Sequence, residues 1–287
     1  MGNKVLILGS TGLIGHQIYE YLRKNSDFLL SNTSYRKQLN DETVLLDARN
    51  ESDFVNYIKI VRPNYIINCI GVLISESDLD PLKASFLNAN LPHKLAKLAD
   101  KINAKLIHMS TDCVFSGNKK LPYLEDDFKD GNTNYARFKN FGEVISNSHL
   151  TIRTSVVGPE FINDGDELFH WFMSQSNNIE GYTKSIWSGV TTIELAKAVK
   201  YFIENNTVGL YHLTNNLSIS KYDLLKLFLK YTNKDIEVIM TEGKVTNKSF
   251  IDSRKELNYS IPEYNLMIKD MIVHIRNNHN VYKHYSL

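Results

Sequence analysis

Tyr135 and Lys139 stand four residues apart in Asn134-Tyr135-Ala136-Arg137-Phe138-Lys139. On a helix this spacing puts both side chains on one face. An ammonium beside a phenol favours the ionised form and draws a group of ordinary pKa about 10 toward neutrality. Such a phenol can pass its proton to a carbonyl oxygen while hydride arrives at the carbon. Thr111, in Ser110-Thr111-Asp112-Cys113 after the apolar run 105–109, brings a hydroxyl that can hold the same oxygen. Taken alone, the spacing describes a solvated helix face better than an active site. The surrounding elements decide between the two.

The chain opens on Lys4-Val5-Leu6-Ile7-Leu8, a short continuous apolar run suited to a strand buried on both faces. It leads directly into Gly9-Ser10-Thr11-Gly12-Leu13-Ile14-Gly15, followed by a helical pattern with Ile14, Ile18, Tyr21 and Leu22 on one side. Glycines at a strand-to-helix turn let backbone amides face a pyrophosphate, so residues 9–15 are the expected dinucleotide turn. A second strand, residues 28–35, ends in Arg36-Lys37. An NAD site would place an acidic residue there, whereas two cations suit a 2′-phosphate; NADPH is expected, with NADH the open alternative. Asp47 and Ala48 end the next strand, where the adenine edge lies in related folds, and Tyr65-Ile66-Ile67-Asn68-Cys69-Ile70-Gly71 brings Cys69 and Gly71 to a strand end near the cofactor. Helical stretches alternate with these strands, the pattern of an α/β, Rossmann-type doubly wound parallel sheet. Residues 82–102 read as mostly helical, with Pro92 a kink or a break. Asn88, one turn before it, is either simply exposed or joins a proton relay behind Lys139.

Composition narrows the classes. The 287 residues carry a formal net charge of +1, which points to neither a nucleic-acid nor a membrane-surface partner. Cys69 and Cys113 have no metal-ligand spacing and sit in apolar surroundings, as in a reducing compartment. No signal peptide is evident and no apolar run approaches the roughly 20 residues of a membrane span; a cytoplasmic location is expected. His274, His279 and His284 are five apart, drift around a helix, and are not read as a metal site.

As a set, His108-Met109-Ser110-Thr111-Asp112, Pro122-Tyr123-x-Glu125-x-Asp127, and Tyr135-x-x-x-Lys139-x-x-Gly142-Glu143 resemble the extended short-chain dehydrogenase/reductases that act on nucleotide sugars. The resemblance is nearest to the dTDP-4-dehydrorhamnose reductases. It continues through Ile152-Arg153-Thr154-Ser155, residues 209–213 and Ser220-Lys221-Tyr222, and so covers nearly the whole chain. It implies reduction of a 4-keto-6-deoxyhexose on a nucleoside diphosphate, with a hydroxyl or an acetamido group at C2, in deoxysugar biosynthesis. Thr111, Tyr135 and Lys139 would be hydroxyl, acid and lysine, with Asn88 in support. Ala136 and Phe138 replace residues usual in the family. Members are often dimers.

Cys113, two residues after Thr111, departs from the reductase pattern and resembles GDP-fucose synthase, which epimerises before it reduces and uses a cysteine and a histidine. His170, after Gly158-Pro159, is the matching histidine, one residue out of register. A C4 ketone acidifies the protons at C3 and C5, so a thiolate and a histidine on opposite faces would invert a centre. The smaller C-terminal substrate-binding lobe is expected over 159–190 and 216–287, against a dinucleotide-binding part over 1–158 and about 191–215. Within the lobe, Trp187 is expected to border the sugar or to sit in the core, and Lys248 to meet the diphosphate, as a basic residue does near this position in the family. The expected activity is an NADPH-dependent 4-ketoreductase, with C3 or C5 epimerisation. Its alternatives are a reductase alone and a non-catalytic dinucleotide-binding regulatory subunit.

Overall fold

The computed structural model describes residues 2–163, 165–254 and 258–287. Its centre is a seven-stranded parallel sheet in the order Gly209–His212, Leu150–Thr154, Lys105–Thr111, Tyr65–Asn68, Lys4–Leu8, Leu29–Ser34, Val44–Leu45. Alternation along the first strand shows that both faces are covered, because Val5 and Ile7 enter one apolar cluster while Leu6 and Leu8 enter another. Ile18 and Leu22 of the helix Gly15–Asn25 and Val199 and Phe202 of Thr192–Glu204 seal the first face. Phe54 and Ile58 of Glu51–Val61 and Leu91 and Leu95 of Leu91–Lys101 seal the second. Helices on both faces of an all-parallel sheet make the expected doubly wound α/β architecture.

The stretch expected as one kinked helix over 82–102 is three pieces. A short helix, Pro81–Ala84, runs into a wide π turn, Ser85–Asn90, and then into Leu91–Lys101. Pro92 falls in the first turn of the last piece, where a missing N–H costs nothing. The irregularity therefore sits upstream of the proline, at Asn88. The backbone of Gly142 packs directly on the Asn88 carbonyl, where a Cβ would come within 2.0 Å of the oxygen.

Beyond Thr154 the remaining strands are short: Ile179–Tyr182 pairs with Val238–Thr241, and Ser185–Trp187 lies between Ile219–Ser220 and Thr246–Asn247. Phe169 and Phe172 of the helix Leu168–Ser174 pack edge-on and tilted against Phe228, joining this region to the core. No helix among the described residues is long and apolar enough to cross a membrane.

Candidate active site

The carboxyl ends of the central strands open into a cleft of about 380 Å³. Gly9, Thr11 and Gly12 form one wall, Cys69 and Gly71 a second, and Arg36, Lys37, Asp47 and Ala48 lie at the end served by the outer strands. Gly9 has φ +79°, a left-handed conformation that glycine adopts freely. A side chain on Gly15 would collide with the Gly9 carbonyl at 2.2 Å, so Gly15 lets the first helix start against the strand and does not itself face the cleft. Leu13 and Ile14 also lie off the cleft wall; Ile14 packs toward the core. A Cβ on Gly12, by contrast, would meet nothing nearer than 3.5 Å. A bare glycine turn at one end and a cationic rim at the other suit an elongated, phosphate-bearing dinucleotide.

The rim holds a residue the sequence reading passed over. Arg49 grips Asp47 through Nε and Nη2 at 2.7–3.1 Å and donates from Nη2 to the Tyr35 hydroxyl at 2.9 Å. This hydrogen-bonded pairing holds the Asp47 carboxyl below its ordinary range. Arg36 lies over the ring of the same tyrosine, 4.9 Å from the Tyr35 ring centre. The signal for Arg49 was an arginine two residues after an aspartate just past a strand, where a short Asp-x-Arg chelate closes easily.

A second cavity, about 490 Å³, is lined by Thr111, Cys113 and Tyr135 together with Asp112, Glu167 and Ser155. Thr111 reaches it because the strand Lys105–Thr111 ends there, and its Oγ1 accepts from the Cys113 amide at 3.1 Å, turning the chain so that Cys113 follows into the same wall. Tyr135 opens the helix Asn134–Phe141, which Thr133 caps by accepting from the Ala136 amide at 3.1 Å. Lys139, one turn on, is 6% exposed and donates from Nζ to the Met109 carbonyl at 2.6 Å. Gly71 and Val72 line the first cavity and the next residues of the chain, Leu73, Ile74 and Ser75, line the second; a Cβ on Gly71 would lie 3.0 Å from Asn88 Oδ1 and 3.9 Å from Lys139 Nζ.

The electrostatics correct one expectation. Burial holds the Tyr135 phenol above its ordinary value, Cys113 adds to the rise, and the neighbouring Thr111 hydroxyl pulls it partly back. Burial also lowers Lys139 to about 8, against the opposing pull of Glu143 and Cys69. The lysine therefore does not bring the phenol toward neutrality in this structure, and Tyr135 stays protonated. Cys69 is pushed up to about 12 by burial and Cys113 to about 11 by burial and Asp112, with Lys248 and Thr111 lowering the latter.

Four other candidates land elsewhere than expected. His170 turns away from Cys113: its Nδ1 is 2.9 Å from the Tyr285 hydroxyl and its ring faces His284, so the loop after Gly158-Pro159 does not bring it to the thiol. Lys248 is the cation beside Cys113, with Nζ donating to Sγ at 3.3 Å, and so meets the thiol before any diphosphate. Trp187 is 4% exposed, donates from Nε1 to Ser155 Oγ at 2.7 Å and packs on Tyr264; its ring belongs to the core and not to the cavity wall. Asn88 is fully buried and not exposed, and its side chain binds Val72: Oδ1 accepts from the Val72 amide at 3.1 Å and Nδ2 donates to the Val72 carbonyl at 2.9 Å. It fixes the strand end beside Gly71. Among the described residues no group of three or more His, Cys, Asp or Glu could hold a metal ion.

Beneath the cavity, a buried ionic network sets the position of Ser110. Arg153, fully buried, donates from Nε and Nη2 to Glu143 at 2.8 and 2.7 Å, and Ser110 Oγ donates to the same carboxylate at 2.7 Å. Arg153 Nη1 also contacts the Glu125 carbonyl at 3.2 Å and His212 Nε2 at 2.7 Å, and His212 Nδ1 lies 2.9 Å from the Ile251 carbonyl. Burial and the Arg153 charge lower His212 to about 4, so it is a neutral acceptor that ties the 116–133 loop and residues 249–254 to the sheet.

A seven-stranded parallel sheet wound on both faces, a glycine turn after its first strand and a cleft across its strand ends define a Rossmann-type dinucleotide-binding protein. The family model of the RmlD substrate binding domain matches residues 3–272, and the chain belongs to that family. It is 25% identical over 246 residues to dTDP-4-dehydrorhamnose reductase of Escherichia coli (strain K12), covering 80% of this chain and 78% of that protein. It is also 28% identical over 250 residues to methionine adenosyltransferase 2 subunit beta of Xenopus tropicalis, covering 78% and 70%. In fold it is similar to the crystal structure of dTDP-4-dehydrorhamnose reductase from Bacillus anthracis str. Ames in complex with NADP, with a TM-score of 0.80 at 22% identity over 96% of this chain and 100% of that one.

Proposed function

We propose that this protein is an NADPH-dependent reductase of the C4 ketone of a nucleoside-diphosphate-4-keto-6-deoxyhexose, and that it also epimerises C3, C5 or both. The observation that carries the reading is one continuous stretch of chain, Gly71 to Ser75, that lines the cavity of the glycine turn and then the cavity of Thr111, Cys113 and Tyr135. The named activity of the E. coli relative and the NADP bound by the B. anthracis structure support it. On this reading the chain divides into a dinucleotide part, 1–158 with about 191–215, and a substrate lobe, 159–190 with 216–287.

Gly9, Thr11 and Gly12 would hold the pyrophosphate, Arg36, Lys37 and Arg49 the 2′-phosphate end, and Lys139 the nicotinamide ribose; the bound cofactor supplies hydride. Thr111 then holds the ketone oxygen, and Tyr135, kept neutral by burial, gives that oxygen its proton as charge develops on it. Cys113 exchanges a proton at the neighbouring carbon, with Lys248 beside its sulfur to steady the thiolate. Incubating the enzyme and NADPH with a panel of sugars made by a 4,6-dehydratase, with products identified by NMR, tests this reading: a 4-hydroxy sugar is expected, and no turnover of any 4-keto sugar overturns it.

The likeness to methionine adenosyltransferase 2 subunit beta favours a second reading, a dinucleotide-binding subunit of another enzyme. Nucleotide binding with no reduction in the same panel selects it.

Two further outcomes follow. Arg36→Ala weakens NADPH binding roughly tenfold or more while NADH binding stays within about twofold, since a charge-assisted bond to phosphate is worth about 1.5–3 kcal/mol; titration of cofactor fluorescence reads both. With Lys139 lowered to about 8, kcat/KM for reduction falls as pH rises above that value, because the ammonium loses the charge that holds the ribose. A limb first seen above about pH 10, the range of an ordinary lysine, contradicts this role.

A further inference from the structure

We propose that Glu167, and not His170, is the partner of Cys113: its carboxylate takes the proton from the carbon beside the ketone, and the Cys113 thiol returns one on the other face. The inference rests on the epimerase reading above. Glu167 and Cys113 line one cavity with Thr111 and Tyr135 and reach it from separate segments, the turn after Thr111 and the loop that enters the helix Leu168–Ser174. The Glu167 backbone carbonyl accepts from Trp171, but its side chain does not cap the helix, and among the described residues its carboxylate has no hydrogen bond or ion pair. A partly buried carboxylate left without a partner inside a polar cavity is uncommon, and a substrate proton would supply what it lacks. Burial raises its carboxyl above the ordinary range; of the charges facing it, Asp166 and Asp112 add to the rise and Lys221 opposes it. Lys221 is held with Nζ 5.2 Å from the Trp187 ring centre, so Trp187 acts by placing this cation.

The resting states fix the direction of transfer. Cys113, raised to about 11, is a thiol at neutral pH and therefore starts as the acid. The C–H bond at C3 or C5 breaks, its proton passes to Glu167, and the electron pair enters an enolate whose oxygen Thr111 and Tyr135 hold. The S–H bond of Cys113 then breaks and its proton forms the new C–H bond on the opposite face. A thiolate remains beside Lys248 and a neutral carboxyl at Glu167; proton return through solvent restores both. No oxidant or reductant is consumed.

The test is deuterium uptake at C3 and C5 of a 4-keto nucleotide sugar incubated in heavy water with enzyme and NADP⁺, read by NMR. Wild type is expected to exchange, Glu167→Gln to exchange roughly 100-fold more slowly, Glu167→Asp to recover part of the rate, and His170→Asn to match wild type. Reduction of a substrate supplied as the epimerised isomer falls by less than tenfold in Glu167→Gln, a split that misfolding does not give. Exchange by Glu167→Gln at the wild-type rate, or its loss in His170→Asn, overturns the assignment. Should Glu167→Gln fail to fold, the Asp and His170 variants decide alone. A wild type that reduces but never exchanges overturns this proposal and leaves the reductase; one that reduces no 4-keto sugar overturns both.

Discussion

Tyr135→Phe lowers kcat/KM for reduction of the 4-keto sugar by roughly 10²–10⁴-fold, the range for loss of a positioned general acid. The phenol is the group placed to deliver a proton at the ketone oxygen; Thr111 Oγ1, which without substrate donates to Asp112 at 3.1 Å, turns that hydrogen to the ketone oxygen to hold it and has none to transfer. Burial raises the phenol above its ordinary value, so the loss is expected to be the same at pH 6 as at pH 8. Cofactor affinity changes little, because the ring and Lys139 remain in place. Stability shifts by no more than about 1 kcal/mol, the net worth of one hydroxyl contact. Steady-state kinetics with NADPH absorbance, set beside a cofactor titration and a melting curve, separates these effects; undiminished turnover removes Tyr135 from its role.

Glu143→Gln is expected to be the most destabilising single change to the site's support. It leaves the guanidinium of Arg153, which has no exposed surface, facing a neutral amide in place of two charge-assisted bonds. An uncompensated buried charge costs about 3–5 kcal/mol, which for a protein of this size lowers Tm by roughly 6–20 °C. The double change Glu143→Leu with Arg153→Met removes both charges and costs less than Glu143→Gln alone. Thermal unfolding of the three proteins distinguishes a working ion pair from an ornamental one. A shift under about 1 kcal/mol in Glu143→Gln contradicts the account of the network. Because Ser110 donates to the same carboxylate and precedes Thr111, the variant also loses activity.

What the chain displayed in order was readable. The strand, the glycine turn and the helix that follow one another over residues 4–25 form one local unit, and the cleft takes its first wall from it. The same holds for Arg36-Lys37 and for Gly71, which follow two or three residues after the strands Leu29–Ser34 and Tyr65–Asn68. Long-range neighbours were not readable. Lys248 and Cys113 meet across 135 positions, and no periodicity encodes that contact. The misassignment of His170 came from counting along a loop: the helix after it starts at Leu168, which leaves Glu167 at the cavity and sends His170 to Tyr285. For Tyr135 and Lys139 the spacing gave the shared helix face. It was silent on desolvation, which reverses the expected shift of the phenol. Trp187 shows the same limit, since an aromatic at a strand end reads identically whether its ring faces a sugar or Tyr264.

The most direct measurement is isotopic. With NADPH carrying deuterium at the transferable position of the nicotinamide C4 and the accepted 4-keto nucleotide sugar, the product is predicted to hold one deuterium at sugar C4, on a single face, with the adjacent hydroxyl proton drawn from solvent. Deuterium that stays on the cofactor while the sugar is unchanged, or that appears on both faces of C4, would contradict a ketone held between Thr111 and Tyr135 beside the nicotinamide.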